Sequence, residues 1–194
     1  MERTERQMRS IPSKFETRED NDDFYIEGYF SVFNSNYDLW PGASESVAPG
    51  AFANTLGNDV RALIDHETRL VLGRSKAGTL ELREDSHGLW GKIRINPNDT
   101  DAMNLYNRVK RGDVDQCSFG FNIVKEDTEI REDGSVHWTI REVELFEVSV
   151  VTFPAYEETA VSARKKEYQE MERRKTEAWK AKMNERLKGA RHGT

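Results

Sequence analysis

The sequence predicts an α+β, mainly β fold: a small barrel of about six short strands with few helices. Three observations predict it. Apolar and polar residues alternate along several stretches between residues 24 and 152, turn signals such as Asp133-Gly134 separate them, and only one segment of the body repeats its apolar residues at helical spacing. After residue 156 the strand pattern stops and a charge-rich helical pattern replaces it. The chain therefore divides into a flexible leader (residues 1–22), a folded body (23–156) and a charged helical tail (157–194).

The leader is polar and dense in charge. From residue 24, Phe24, Ile26, Gly28, Phe30 and Val32 alternate with Tyr25, Glu27, Tyr29 and Ser31, which is a strand ending at the Asn34-Ser35-Asn36 turn. Pro41-Gly42 and Pro49-Gly50 mark a loop, and residues 51–56 suit a short helix stopped at Gly57-Asn58. Residues 60–64 read as a buried strand that leads directly into His66. Strands at 79–83 and 89–95 flank the five-residue loop 84–88 and form a β-hairpin. Asn98 or Asp99 caps a helix in which Ala102, Leu105, Tyr106 and Val109 fall at i, i+3, i+4 and i+7, closed by Lys110-Arg111-Gly112. Strands resume at 116–124, 135–140 and 143–152. In the tail, Tyr168, Met171, Trp179, Met183 and Leu187 make a sparse apolar stripe on an otherwise charged helix.

Composition narrows the function. The 194 residues carry a net charge of -6. Residues 156–194 hold 11 Lys+Arg against 7 Asp+Glu, a net of +4, which leaves -10 for residues 1–155. An acidic body argues against nucleic-acid binding by the whole chain, and a barrel that binds nucleic acid through the tail is the weakest of the alternatives. The single cysteine, Cys117, excludes an intramolecular disulfide framework and multi-cysteine zinc sites and suits a reducing compartment. No apolar run has the length of a signal peptide or a membrane span, so neither secretion nor membrane insertion is expected.

Three segments carry candidate chemistry. In Gln116-Cys117-Ser118-Phe119-Gly120-Phe121-Asn122-Ile123, alternation puts Cys117, Phe119, Phe121 and Ile123 on the core face and turns Ser118 away from it. Gly120, two residues on, leaves room for a substrate backbone beside the serine. Cys117 is the competing nucleophile, but its apolar face marks a packed thiol. His66 stands where a strand leaves the core, a position both rigid and open. The snippet Asp65-His66-Glu67 lacks the second histidine four residues on that a zinc helix needs. Of the acids near the last strand, Glu147 shares a face with Val143, Leu145, Ser149 and Val151 in an uninterrupted strand, the pattern of a buried, partnered carboxylate; Glu142 and Glu144 fall on the other face. His87, in a hairpin loop, and His192, near the terminus, are expected in solvent.

These segments carry a family resemblance. Asp65-His66-Glu67, the Gln116 to Phe121 block, and Glu144-Leu145-Phe146-Glu147-Val148-Ser149-Val150-Val151-Thr152-Phe153-Pro154 resemble the signature blocks of the prohead (capsid-maturation) proteases of tailed bacteriophages. Gly28-Tyr29-Phe30-Ser31-Val32-Phe33-Asn34 and Pro49-Gly50-Ala51-Phe52 extend the match, which runs from about residue 24 to residue 155. The resemblance implies an assemblin-like fold, a β-barrel surrounded by helices as in the herpesvirus assembly protease. It implies a serine endopeptidase with Ser118 as nucleophile, His66 as base and Glu147 as the acid that orients it, with no cofactor and no metal. Glu144 remains an alternative third member, as does His137, because the herpesvirus relatives use a second histidine. Cys117 departs from the small or aliphatic residue expected before the nucleophile.

The implied substrates are the scaffolding protein or the scaffolding segment of the major capsid protein, and the enzyme itself. The implied setting is the host cytoplasm during assembly and then the procapsid interior, with a homodimer among the possible assemblies. The tail lies outside the matched region and suits a docking helix or a removable propeptide. A catalytically silent assembly or scaffold protein, keeping the fold and docking on capsid protein through the tail, is the alternative reading, since fold alone does not decide activity.

Overall fold

Alternation and cap chemistry produce the elements that neighbours in sequence can specify, while long-range pairing adds strands that they cannot. The computed structural model of the protein describes residues 7–12, 15–20, 23–153 and 157–191. Among these are eleven strands: β1 (Gln7–Pro12), β2 (Glu16–Asp20), β3 (Asp23–Val32), β4 (Tyr37–Trp40), β5 (Ala43–Val47), β6 (Arg61–Ile64), β7 (Glu67–Arg74), β8 (Leu80–Glu84), β9 (Gly88–Ile95), β10 (Gln116–Ile130) and β11 (Val136–Val151). Two α-helices, α1 (Thr100–Arg111) and α2 (Glu157–Arg191), complete the list of main elements. The chain falls into two units, residues 1–157 and 158–194.

In the first unit, β1, β10, β11, β5 and β4 follow one another edge to edge, and β6 with β7 extends the same sheet from a different stretch of β11. A second sheet has the order β2, β3, β9, β8. The α+β, mainly β class stands, but these pairings close no barrel among the described residues. One edge of β11 is divided between two parallel partners, β5 along Val136 to Ile140 and β6 along Glu147 to Val150, so the sheet branches into two arms instead of continuing round.

Several expectations are corrected by partners distant in sequence. In the stretch expected as a flexible leader, Gln7–Pro12 pairs with β10 and Glu16–Asp20 with β3. The loop expected after residue 34 contains β4 and β5. Its polar run Ala43–Val47 is a buried strand because Glu45 meets Arg9, and Ser44 and Ser46 meet His137. Residues 51–56 form no helix. They make separate four-residue turns, from Ala51 N–H to the Ala48 carbonyl, Ala53 to Gly50 and Thr55 to Phe52, and the Thr55 hydroxyl accepts from the Leu145 N–H of β11 at 2.8 Å. β10 and β11 are single long strands where shorter ones were expected.

Helix α1 forms as its sequence dictates. The Asp99 side chain accepts from the N–H groups of Asp101 and Ala102, Gly112 closes the C-terminus at φ 84°, and Ala102, Leu105, Tyr106 and Val109 are the buried face. The core against which it packs is rich in aromatics. Phe33 stacks near Phe52 at 6.2 Å, Phe52 meets Phe119 edge-on at 5.5 Å, and Phe119 lies 4.8 Å from Phe121, so β10 is pinned by its core-facing side chains. In the second unit, α2 is one continuous helix on which Trp179 and Met183 are exposed.

A bulge in β3 near Phe30 shifts its register on β9, burying Ser31 and Phe33 and leaving Val32 only half-buried. The bulge brings the Ser31 backbone so close to Gly88 that a β-carbon there would lie 1.9 Å from the Ser31 carbonyl oxygen. At Gly57 a β-carbon would meet nothing within 4 Å. Urea denaturation of Gly88→Ala should therefore show a loss of about 3 kcal/mol or more, the upper range for forced overpacking, whereas Gly57→Ala should unfold like the wild type.

The open end of the β6–β7 hairpin is closed by charge. Arg74 donates to Asp59 from Nε at 2.7 Å and from Nη2 at 2.5 Å, and Arg61 approaches the same carboxylate. The Arg74 hydrogen bonds hold the Asp59 carboxyl down at about 2. Because that value is depressed in the folded state, its contribution is full above about pH 4, the ordinary carboxylate range, and disappears as pH falls toward 2. Asp59→Asn should be less stable than the wild type in urea at pH 7, and the gap should close between pH 4 and 2.

Candidate active site

His66 occupies the turn of the β6–β7 hairpin. Ile64 pairs with Glu67, so Asp65 and His66 are a two-residue loop, with φ of 46° and 61°. Positive φ at both central residues is the primed turn that matches strand twist, and aspartate and histidine adopt it more readily than most residues. The turn is stapled to the end of β11. Asp65 N–H donates to the Val150 carbonyl at 3.1 Å, and the Asp65 carboxylate accepts from Thr152 N–H at 2.7 Å and from its hydroxyl at 3.1 Å.

The staple brings the imidazole to Glu147. His66 Nδ1 lies 2.7 Å from Glu147 Oε1, and the carboxylate fixes the tautomer: Nδ1 carries the hydrogen, so Nε2 is the basic nitrogen. Nε2 is buried and has no hydrogen-bond partner among the described residues. The second oxygen, Glu147 Oε2, accepts from the Ser149 hydroxyl at 2.6 Å. Glu147 and Ser149 are both almost completely buried.

The faces of the two long strands explain this grouping. Opposite Gly120 stands Glu147, but opposite Phe121 stands Leu145, so Phe146 is an extra residue in β11. Val143 and Leu145 therefore belong to the hydrophobic core with Val148 and Val150, while Glu147 and Ser149 face the other way. This corrects the uninterrupted alternation that put Glu147 on the face of Val143 and Leu145. Ser118 pairs with Ser149 and Gly120 with Glu147, so the serine, the glycine and the acid share the side of the sheet remote from that core.

Ser118 has the predicted facing but not the predicted openness. It is fully buried, and its hydroxyl donates to the Arg9 carbonyl of β1 at 3.0 Å. Cys117 is equally buried on the opposite face, with its thiol directed at the Tyr29 carbonyl at 3.2 Å, a packed group away from His66. Of the alternative third members, Glu144 accepts from Asn122 at 3.4 Å in an exposed position. Glu142 is taken by Asn54 and Lys125. His137 lies in the half of β11 that pairs with β5, held between the hydroxyls of Ser44 at 2.8 Å and Ser46 at 2.9 Å. Arg141, the arginine nearest Glu147 in sequence, pairs with Asp127. His87 is exposed as expected, and His192 lies outside the described residues.

Asp65, Ser149 and the Arg9 carbonyl were not singled out from sequence as parts of the site. Ser149 had a signal, its place two residues after Glu147 on one strand face. For Asp65 the signal was an acid before a turn histidine; for a backbone carbonyl there is none.

Residues 13–174 match the family described as caudovirus prohead serine protease. The prohead protease of Enterobacteria phage HK97 is 33% identical over 144 residues, covering 72% of this chain and 60% of that protein, so the chain spans somewhat under two thirds of that relative's length. The capsid assembly protease of bacteriophage T4 is a structural neighbour with a TM-score of 0.50 at 9% identity, covering 75% of this chain and 96% of that one; at this identity the likeness concerns the fold.

The pairing of Glu147 with His66 should be visible directly. A strongly deshielded Nδ1 proton is expected in the NMR spectrum of the wild type and should disappear in Glu147→Gln. On the triad expected from the sequence, labelling of Ser118 by a fluorophosphonate should slow by about 10⁴-fold in that variant, as when the orienting acid of a triad becomes an amide. An unchanged rate would remove Glu147 from the site.

Proposed function

The chain belongs to the caudovirus prohead serine protease family, and from that premise we propose that it is a serine endopeptidase of phage head maturation, with Ser118 as nucleophile, His66 as general base and Glu147 as orienting acid. The observation that carries this reading is the 2.7 Å contact of His66 Nδ1 with Glu147, which leaves Nε2 buried and without a partner among the described residues, on an imidazole whose acid shares a sheet face with Ser118.

In the proposed mechanism the Ser118 hydroxyl turns from the Arg9 carbonyl to His66 Nε2, which takes its proton as Oγ attacks the carbonyl carbon of a peptide bond. The imidazolium that forms is stabilised by the Glu147 carboxylate, and Ser149 holds the far oxygen of that carboxylate in place. His66 then protonates the leaving amine, and a water activated by the same nitrogen hydrolyses the acyl-enzyme. Gly120, opposite Glu147, adds no side chain beside Ser118 on that face, and β1 covers both.

The substrates in this reading are the scaffolding protein or the scaffolding segment of the capsid protein, and the enzyme itself, inside the procapsid. The reading draws on the family and on the resemblance of the blocks around His66, Ser118 and Glu147. A silent assembly protein is disfavoured by the same contact, because a fold kept only for docking has no need of a buried carboxylate aimed at a turn imidazole.

Intact-mass spectrometry of wild type and Ser118→Ala, each coexpressed with the phage's capsid and scaffolding proteins, tests the proposal. Discrete fragments are expected with the wild type, and turnover in the variant should fall by a factor on the order of 10⁶ if the residues act as a unit. Fragments of equal yield with both proteins would exclude Ser118 as the nucleophile.

A further inference from the structure

β1 lies along the nucleophile strand as an extended substrate would. It runs antiparallel to β10, with Ser10 opposite Ser118 and Arg9 opposite Phe119. The Ser118 hydroxyl donates to the Arg9 carbonyl oxygen at 3.0 Å, an ordinary hydrogen bond that ties the serine to β1. The Arg9 side chain is equally well held. Its guanidinium meets the Glu45 carboxylate through Nε with Oε1 and through Nη2 with Oε2 at 3.0 Å, and it sits 5.6 Å from the centre of the Phe121 ring. Arg9 is 5% and Glu45 2% exposed, so this is a buried bidentate pair and not a surface contact. While the Ser118 hydroxyl is engaged by Arg9, His66 Nε2 stands without a partner among the described residues. β1 also precedes residues 13–174, the part of the chain that matches the family.

We propose that β1 is a built-in occupant of the substrate's place, which keeps the Ser118 hydroxyl off His66 until a peptide strand with a basic residue at the position of Arg9 displaces it. The proposal rests on the assignment of Ser118 and His66 given above. Displacement exchanges like for like: an incoming strand remakes the main-chain ladder with β10, as in recognition by strand addition, and its basic side chain remakes the pair with Glu45. An acidic side chain at that position faces the Glu45 carboxylate in a dry site and is rejected. Glu45 is thereby the residue that selects the side chain on the amino side of the carbonyl that Ser118 meets.

The test is the rate at which a fluorophosphonate labels Ser118 in the full-length wild type and in Arg9→Gln, followed by intact mass. Loss of the side-chain anchor should speed labelling by about tenfold, the equivalent of one hydrogen bond removed from the resting state. A capped peptide with the sequence of residues 7–12 should slow the variant again, and the same peptide with glutamate in place of the arginine should not. Because Arg9→Gln leaves Glu45 buried without its partner, Arg9→Gln/Glu45→Gln, which replaces the charges with a neutral amide pair, provides a second measurement of the rate. A variant that melts like the wild type but is labelled at the same rate or more slowly overturns the proposal, and equal slowing by both peptides overturns the selectivity assigned to Glu45. Absence of labelling in every form refutes the assignment of Ser118 itself.

Discussion

One extra residue in β11 sets the geometry of the site. Phe146 has no counterpart on β10, and the bulge reverses which side chains face the core. Without it, Glu147 would share the face of Leu145, among the aliphatic residues that pack on Phe119 and Phe121, and a carboxylate there would have to be desolvated without a partner. With it, Glu147 and Ser149 turn to the side of Ser118. The bulge is held from outside the strand: the N–H of Leu145 is met by the buried hydroxyl of Thr55, and the N–H of Val143 by the Ala51 carbonyl. A segment composed like a short helix is thereby spent on satisfying strand donors, and its own hydrogen bonds stay local.

The same economy governs the buried polar groups. Glu147 is shared by His66 and Ser149, Glu45 by the two edges of one guanidinium, and His137 by two hydroxyls on β5. Each network joins elements far apart in the chain, and each leaves few groups unpaired. Among the described residues, His66 Nε2 is a buried exception, without a hydrogen-bond partner where the rest of its network is satisfied. The hairpin that presents it is tied at both ends, at the turn by Asp65 to Thr152 and at the open end by Arg74 to Asp59, so the imidazole has little freedom to drift from the carboxylate.

The two faces of β10 divide its work. Cys117, Phe119 and Phe121 anchor the strand through aromatic and aliphatic contacts, and that anchoring fixes the position of Ser118 on the reverse face. A side chain placed on a rigid central strand is positioned to within the tolerance of the strand itself. The cost is access, since a central strand has neighbours on both edges, and here β1 and β11 occupy them.

What the sequence by itself determined is what near neighbours specify: α1 with its Asp99 and Gly112 caps, the β8–β9 hairpin, the placing of His66 at a strand end, and the facing of Ser118 away from Phe119 and Phe121. Periodicity and capping act over a few residues, so they can be read along the chain. Only the tertiary structure decided that Ala43–Val47 and Gln7–Pro12 are strands, because their polar residues are stabilised by partners elsewhere: Arg9 and Glu45 are 36 residues apart, and Ser44 and His137 are 93 apart. It decided the face of Glu147 through a bulge that no local pattern announces, and its pairing with a histidine 81 residues away. It also decided that Ser118 is covered, since the carbonyl that holds its hydroxyl belongs to a strand 109 residues earlier. Hydrogen bonds across such separations depend on how the sheets assemble, and alternation along a single strand carries no record of them.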